Sequence, residues 1–248
     1  MKVSSARASA LAFGLVALAG LAIRGSAENA TRYPQPYANL AGEVLLDNER
    51  VVVQKFILPP GQSTGRHTHQ GDQLLVFIRG GVLTSTAAGR ATLWKDGRVV
   101  WQSATERTDE GSTNTGPTPV EMICVTLKPP ASRATAAARG QPPKYRYLDY
   151  PNIPGEDLLE NDLVIVQRFT VNPGQWEGIH AHHPDMLYIH VKGGQWAARS
   201  KTEPPRPYPD ASPDGSVGWM PTIDISMGHE SGNVGTSPID LIWVTLKQ

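Results

Sequence analysis

Apolar residues in this chain recur in short runs, not along the faces of long helices. Val51 to Leu58, Gln73 to Ile78 and Glu121 to Leu127 alternate in polarity or stay apolar throughout. They are rich in Val, Ile, Thr and aromatic residues and are bounded by Gly, Pro, Asn and Asp, the composition of strands and turns. No long helical period follows residue 27. Many short strands at regular spacing predict an all-β chain arranged as a double-sheet jelly roll or barrel.

The pattern occurs twice. Asn48 to Phe56 (NERVVVQKF) matches Asn161 to Phe169 (NDLVIVQRF) at an offset of 113. The same offset carries Pro60-Gly61 onto Pro173-Gly174, His67-x-His69 onto His180-x-His182, Asp72 onto Asp185 and Gly80-Gly81 onto Gly193-Gly194. Asp96-Gly97-x-Val99-x-Trp101 meets Asp214-Gly215-x-Val217-x-Trp219 at 118, and Val125 to Lys128 meets Val244 to Lys247 at 119. The offset grows only between motifs, as insertions in loops require, so the chain is an internal duplication. Residues 43–128 and 156–248 are the two units. Residues 28–42 read as an N-terminal arm and the Pro-rich stretch 129–155 as a linker.

Upstream, Lys2 and Arg7 precede an apolar run from Ala8 to Ile23, and Gly25-Ser26-Ala27 closes it. That order predicts a signal peptide over residues 1–27, hence a periplasmic or secreted protein with no membrane attachment after cleavage. The run is shorter than the roughly 20 residues a spanning helix needs. Removing Lys2, Arg7 and Arg24 leaves 20 basic against 23 acidic residues, a net charge of −3. With no basic excess or stripe, nucleic acid is not the expected partner. Cys124 is the single cysteine, so no intrachain disulfide forms, and its apolar neighbours place it in the core.

Residues two apart on a strand share a face, so His67 with His69, and His180 with His182, can point into one barrel interior. A third donor should come from another strand. His229 stands four residues before Asn233, and Glu110 stands four before Asn114. The expected ligand sets are His67, His69 and Glu110 in the first unit and His180, His182 and His229 in the second. Asp72 and Asp185 could turn inward as further ligands or close turns between strands. His183 is expected on the loop after the pair. His190, four beyond Met186, could face inward as a catalytic acid or base. Trp101, Tyr188, Trp196 and Trp219 suit core packing or a cavity wall, and Asn114 and Asn233 suit turn fixing.

With these residues in view, the chain resembles the cupin superfamily in its two-domain, or bicupin, form. The family's first motif, G-x5-H-x-H-x3,4-E-x6-G, runs through Gly61, His67, His69, Gln73 and Gly80, and again through Gly174, His180, His182, Met186 and Gly193. Its second motif ends in H-x3-N, which His229 and Asn233 fit, while the upstream P-x-G element is absent from both copies. The resemblance implies tandem double-stranded β-helix (jelly-roll) barrels and a divalent cofactor: Fe, Mn, Ni, Cu or Zn. Two departures stand out. The family's ligand Glu is Gln73 in one copy and Met186 in the other, and Glu110 replaces the second-motif His. Two His with a carboxylate, or three His, both leave open positions on a metal. The resemblance therefore implies a metal-dependent dioxygenase acting on a small oxygen-donor substrate. Redox-neutral lyase, decarboxylase, cyclase or isomerase chemistry, or a non-catalytic periplasmic binding role, are the alternatives. Exposed strand edges allow a homodimer.

Overall fold

The apolar runs become strands that bury both faces. In the computed structural model the described residues are 36–37, 39–69, 71–128, 147–200 and 203–247. The signal segment, most of the arm and most of the linker lie outside them. The first half contains β1 (Glu43–Asp47), β2 (Val51–Leu58), β3 (His67–His69), β4 (Gln73–Arg79), β5 (Gly81–Ser85), β6 (Ala91–Trp94), β7 (Val99–Gln102), β8 (Thr105–Asp109), β9 (Ser112–Asn114) and β10 (Val120–Leu127). The second contains β11 (Glu156–Glu160), β12 (Val164–Val171), β13 (Met186–Lys192), β14 (Trp196–Ser200), β15 (Glu203–Pro207), β16 (Val217–Met220), β17 (Glu230–Asn233) and β18 (Ile239–Leu246), with a 3-10 turn at Ile225–Met227.

Each half is built on a five-stranded sheet, ordered β1-β2-β10-β4-β7 in the first and β11-β12-β18-β13-β16 in the second. Under the repeat these are the same order, and the ladders are antiparallel. Smaller sheets, β6-β5-β9 and β3-β8 in the first half and β15-β14-β17 in the second, close each barrel.

Alternation along the central strands divides two cores. Phe56, Leu58, Leu75, Phe77, Met122 and Cys124 point into the first barrel. Phe169, Val171, Met186, Leu241 and Trp243 point into the second. The intervening residues Val51, Val53, Leu74, Val76, Ile123 and Val125 face outward and meet Val164, Val166, Leu187, Ile189, Ile242 and Val244 of the other half in one buried cluster. This explains why β4 is buried from Gln73 to Ile78 with no polar alternation. A sheet covered on both sides carries an unbroken apolar run. Trp101 and Trp219 pack against this shared core, not into a cavity. An Arg50–Asp185 ion pair also crosses between the halves.

The repeated unit begins earlier than residues 43 and 156. Tyr37 is buried against Phe56, edge to face at 4.9 Å, and Tyr150 is buried against Phe169 at 4.5 Å. Gln62 Nε2 donates to the Asn39 carbonyl at 3.1 Å, as Gln175 Nε2 does to the Asn152 carbonyl at 3.4 Å. Tyr37-x-Asn39 and Tyr150-x-Asn152 are 113 residues apart, so the ends of the arm and the linker are equivalent plugs over the two barrel mouths. Gln167 fastens the second one, accepting from the Leu148 amide at 2.7 Å.

Candidate metal centres

In the second half, His180 and His182 run antiparallel to the segment that delivers His229. The amide of His180 donates to the His229 carbonyl at 3.2 Å, and His182 and Ile223 exchange both backbone hydrogen bonds at 3.0 and 3.1 Å. The 3-10 turn Ile225–Met227 ends on Gly228 in the left-handed region, φ 62°, which re-aims the chain so that His229 enters the site. One ring nitrogen from each of the three histidines lies within 4.8 Å of the other two. His180 and His182 are both 2 % exposed.

The proton positions follow from the partners. His180 Nδ1 sits 2.8 Å from the Gly178 carbonyl, which can only accept, so Nδ1 carries the proton and Nε2 offers a lone pair. That lone pair faces His182 Nε2 at 2.8 Å. A backbone carbonyl holding the far nitrogen of an imidazole is the usual support for a metal-ligating histidine. Burial, reinforced by the neighbouring imidazoles, lowers the pKa of His182 to about 2 and of His229 to about 4; burial also lowers that of His180. Neutral imidazoles are the metal-binding form. His182 Nδ1 is buried without a hydrogen-bond partner.

The first half repeats the arrangement with a different third donor. His67 Nδ1 lies 2.8 Å from the Gly65 carbonyl, and His67 Nε2 is buried and unpartnered. His69 Nδ1 meets Gln73 Oε1 at 3.0 Å, so Gln73, standing where the family has its ligand Glu, orients His69 and leaves Nε2 free. The carboxylate that joins the two histidines within 4.8 Å is Asp109, not Glu110. Asp109 pairs directly with His67 across β3 and β8 and so shares its face. Glu110, as exposed as Asp109, points the other way, 3.3 Å from Arg66. The cause is local. The left-handed glycine precedes His229 in the second half, whereas in the first it is Gly111, φ 82°, after Glu110. A Cβ at Gly111 would overlap the Gly65 carbonyl. Both sets, His180/His182/His229 and His67/His69/Asp109, have the donor types and convergence a divalent ion needs. Asp109→Asn is expected to lower metal occupancy of the first site, and Glu110→Gln to leave it unchanged, by metal analysis of each purified variant. The reverse outcome would restore Glu110 as the donor.

Other expected site residues fall outside the clusters. Asp72 Oδ1 accepts from the Ala104 amide at 3.0 Å and Asp185 pairs with Arg50, and neither belongs to a ligand cluster. Asn114 and Asn233 fix the same turn in each copy, each donating at 2.8 Å to two carbonyls, Leu58 and Thr118, and Val171 and Ser237. His183 is half-buried on the loop after the pair. Burial lifts the Cys124 thiol to about 12, leaving it unreactive at neutral pH.

His190 does lie inside the barrel, but both its nitrogens are engaged. Trp196 Nε1 donates to Nε2 at 2.9 Å, and Nδ1 meets Ser216 Oγ at 2.9 Å. Its pKa falls to about 4 through burial. The ring is thus a neutral brace for Trp196 at the wall of the cavity. The ionisable group beside the histidines is Glu177, three residues before His180. It is 3 % exposed, its Oε2 accepts from the Ser231 amide at 3.1 Å, and it lies 3.9 Å from His180 Nε2. Burial raises its pKa to about 8. The equivalent position in the first half is Thr64, so motif spacing carries no signal for it; a lone Glu in an otherwise uncharged strand entry was the only trace. Glu177, His182, Tyr188, Trp196, Met220 and Trp243 line a cavity of about 50 Å³. That is room for roughly three to five waters.

Neither a scan of protein-family profiles nor a search of curated proteins finds a match. Solved structures do match. A cupin 2 conserved barrel domain protein from Leptotrichia buccalis aligns over 86 % of this chain and 92 % of its own, at 11 % identity and a TM-score of 0.50. Salicylate 1,2-dioxygenase from Pseudaminobacter salicylatoxidans aligns over 85 % and 77 %, at 10 % identity and 0.53. Oxalate decarboxylase from Bacillus subtilis aligns over 81 % and 68 %, at 14 % identity and 0.51. Identities this low speak for architecture alone. In its strand order, its all-β composition and its structural neighbours, the chain has the cupin β-barrel fold.

Proposed function

We propose that this protein is a secreted, metal-binding bicupin enzyme whose second barrel carries out oxygen-dependent chemistry on a small oxygen-donor molecule. The observation behind the reading is the convergence of His180, His182 and His229, three neutral imidazoles within 4.8 Å of one another at the edge of a cavity. A bound Fe, Mn, Ni, Cu or Zn would supply a Lewis acid with open positions and, where redox-active, electron exchange with O2.

The chain's own contributions are separable. His180, His182 and His229 would hold the ion, and the Gly178 carbonyl, bound to Nδ1 of His180, keeps its Nε2 lone pair available. Tyr150 seals the barrel mouth beside His180, with ring centroids 4.6 Å apart, and restricts water. Glu177 is placed to hold a proton on its carboxyl next to whatever occupies the cavity. The first barrel, with two His and Asp109, serves as a second metal site. Among the fold's neighbours, one is named a dioxygenase and another a decarboxylase. Glu177 favours the second reading, redox-neutral proton chemistry, because a buried carboxyl near its working pH moves protons well.

Oxygen uptake separates the two. Metal-loaded protein with small hydroxy- and keto-compounds should consume O2 in step with substrate. Substrate turnover without O2 uptake would select the redox-neutral reading. No turnover with metal bound would leave a binding protein.

A further inference from the structure

The duplication supplies an internal comparison for the second cavity. At equivalent core positions the first barrel has Thr64, Leu75, Phe77, Leu83 and Cys124 where the second has Glu177, Tyr188, His190, Trp196 and Trp243. The strand registers confirm the pairing: Leu75 opposes Cys124 as Tyr188 opposes Trp243. Five positions that are apolar or small in one copy carry hydrogen-bonding groups in the other. His190 and Trp196 satisfy each other, and Glu177 accepts from the Ser231 amide. Trp243 is left over, together with Tyr150, a position that is tyrosine in both copies (Tyr37 in the first). Tyr150 Oη and Trp243 Nε1 are buried with no hydrogen-bond partner, although each residue is only 3 % exposed and lines the cavity. The Tyr150 hydroxyl faces Glu177 and Trp243 without a hydrogen bond of good geometry to either.

A buried polar group left unpaired is costly, and native structures leave few of them. Two such groups in one cavity, beside a buried carboxyl and a histidine cluster, mark a place where a ligand oxygen completes the set. We propose that Tyr150 Oη and Trp243 Nε1, with Glu177 beside them, form a subsite that holds the oxygen of a small hydroxy- or keto-compound. The subsite rests on reading the neighbouring histidines as a metal site and names the substrate class for it. An indole N–H only donates, so the ligand atom it meets is an acceptor. A phenolic hydroxyl donates or accepts, and fits a carbonyl or an alcohol equally. No Lys or Arg lines the cavity, and a carboxyl already does. A divalent ion on the neighbouring histidines would supply the positive charge that an anionic ligand needs, so the donors and acceptors, not the net charge, define the ligand. Tyr188, Met220 and Leu241 supply apolar walls for its carbon skeleton.

The test uses the full-length protein, with metal content measured on every sample. Hydroxyacetone and glycolate are small hydroxy-compounds of similar size. Titrations followed by tryptophan fluorescence and calorimetry should show saturable binding of hydroxyacetone. Tyr150→Phe, which removes one oxygen and no packing, and Trp243→Phe should each weaken it five- to tenfold with metal content unchanged. Glycolate should displace it. Variant affinities within twofold of the parent would overturn the subsite while leaving the metal reading intact. A full metal complement retained after His180→Ala/His182→Ala would overturn the metal reading of the second barrel instead. Thermal melts identify any variant that fails to fold, and Tyr150→Phe keeps the question open to test if Trp243→Phe does.

Discussion

His180→Ala/His182→Ala should release one metal ion per chain and leave the ion of the first barrel in place. Two of three donors vanish from the second cluster, whereas His67, His69 and Asp109 lie in the other barrel and share no ligand with it. Even the loss of groups that merely support ligands costs about 10- to 100-fold in affinity, so removing two ligands should exceed the upper figure. Metal per chain by elemental analysis, with a chelator titration for affinity, reads the result. The fold should survive. Neither histidine belongs to the apolar clusters, and His182 Nδ1 is already unpartnered, so its removal relieves one buried unsatisfied atom. Folded double variant with its full metal complement would remove the second centre, and with it the enzyme reading.

The metal-free protein should be most stable near pH 6.5 and lose stability on either side, for opposite reasons. Burial keeps His180, His182, His190 and His229 neutral in the fold, with His229 and His190 near 4 and His182 near 2, against 6.5 in the unfolded chain. As pH drops below 6.5 the unfolded chain takes up protons that the native chain refuses, so stability falls with pH down to about 4 and continues to fall for His182. Glu177 has the opposite sign. Its pKa is 4.5 unfolded and about 8 in the fold, so above 4.5 the unfolded chain gains by ionising and the native chain does not. Between 4.5 and 6.5 several imidazoles outweigh the one carboxyl. Above 6.5 Glu177 acts alone and costs about 1.4 kcal/mol per pH unit, roughly 2 kcal/mol by pH 8. Thermal melts from pH 4 to 9 in the presence of a chelator should trace the two limbs. Glu177→Gln should flatten the alkaline limb and leave the acid one. An alkaline limb unchanged by Glu177→Gln would mean that the carboxyl is ionised in the native state.

The second barrel is thus better equipped for chemistry than the first, although motif spacing treats them alike. His67-x-His69 and His180-x-His182 have the same spacing from the preceding Pro-Gly. What separates them is Gln73, which braces His69, against Met186, which leaves His182 Nδ1 bare, and Glu177 against Thr64.

The duplication, the strands and the two histidine pairs were legible in the amino-acid order because covalent spacing and two-residue alternation decide them. His67 and His69, or His180 and His182, must share a face whenever their segments are extended. The plugs at Tyr37 and Tyr150 left the same 113-residue offset as the histidine pairs, but two residues in a loop are a weak signal until both are found on barrel mouths. Other features could be settled only in three dimensions. Whether Asp109 or Glu110 turns inward depends on which side of the donor the left-handed glycine falls, a backbone torsion that no spacing rule contains. The approach of Glu177, Tyr150 and Trp243 to one point joins three distant stretches through barrel closure. The outward faces of β2, β4 and β10 read as ordinary strand core until the second half covers them. Local geometry travels along the chain and can be read from it. Convergence depends on where separate strands end up, and only the packed structure fixes that.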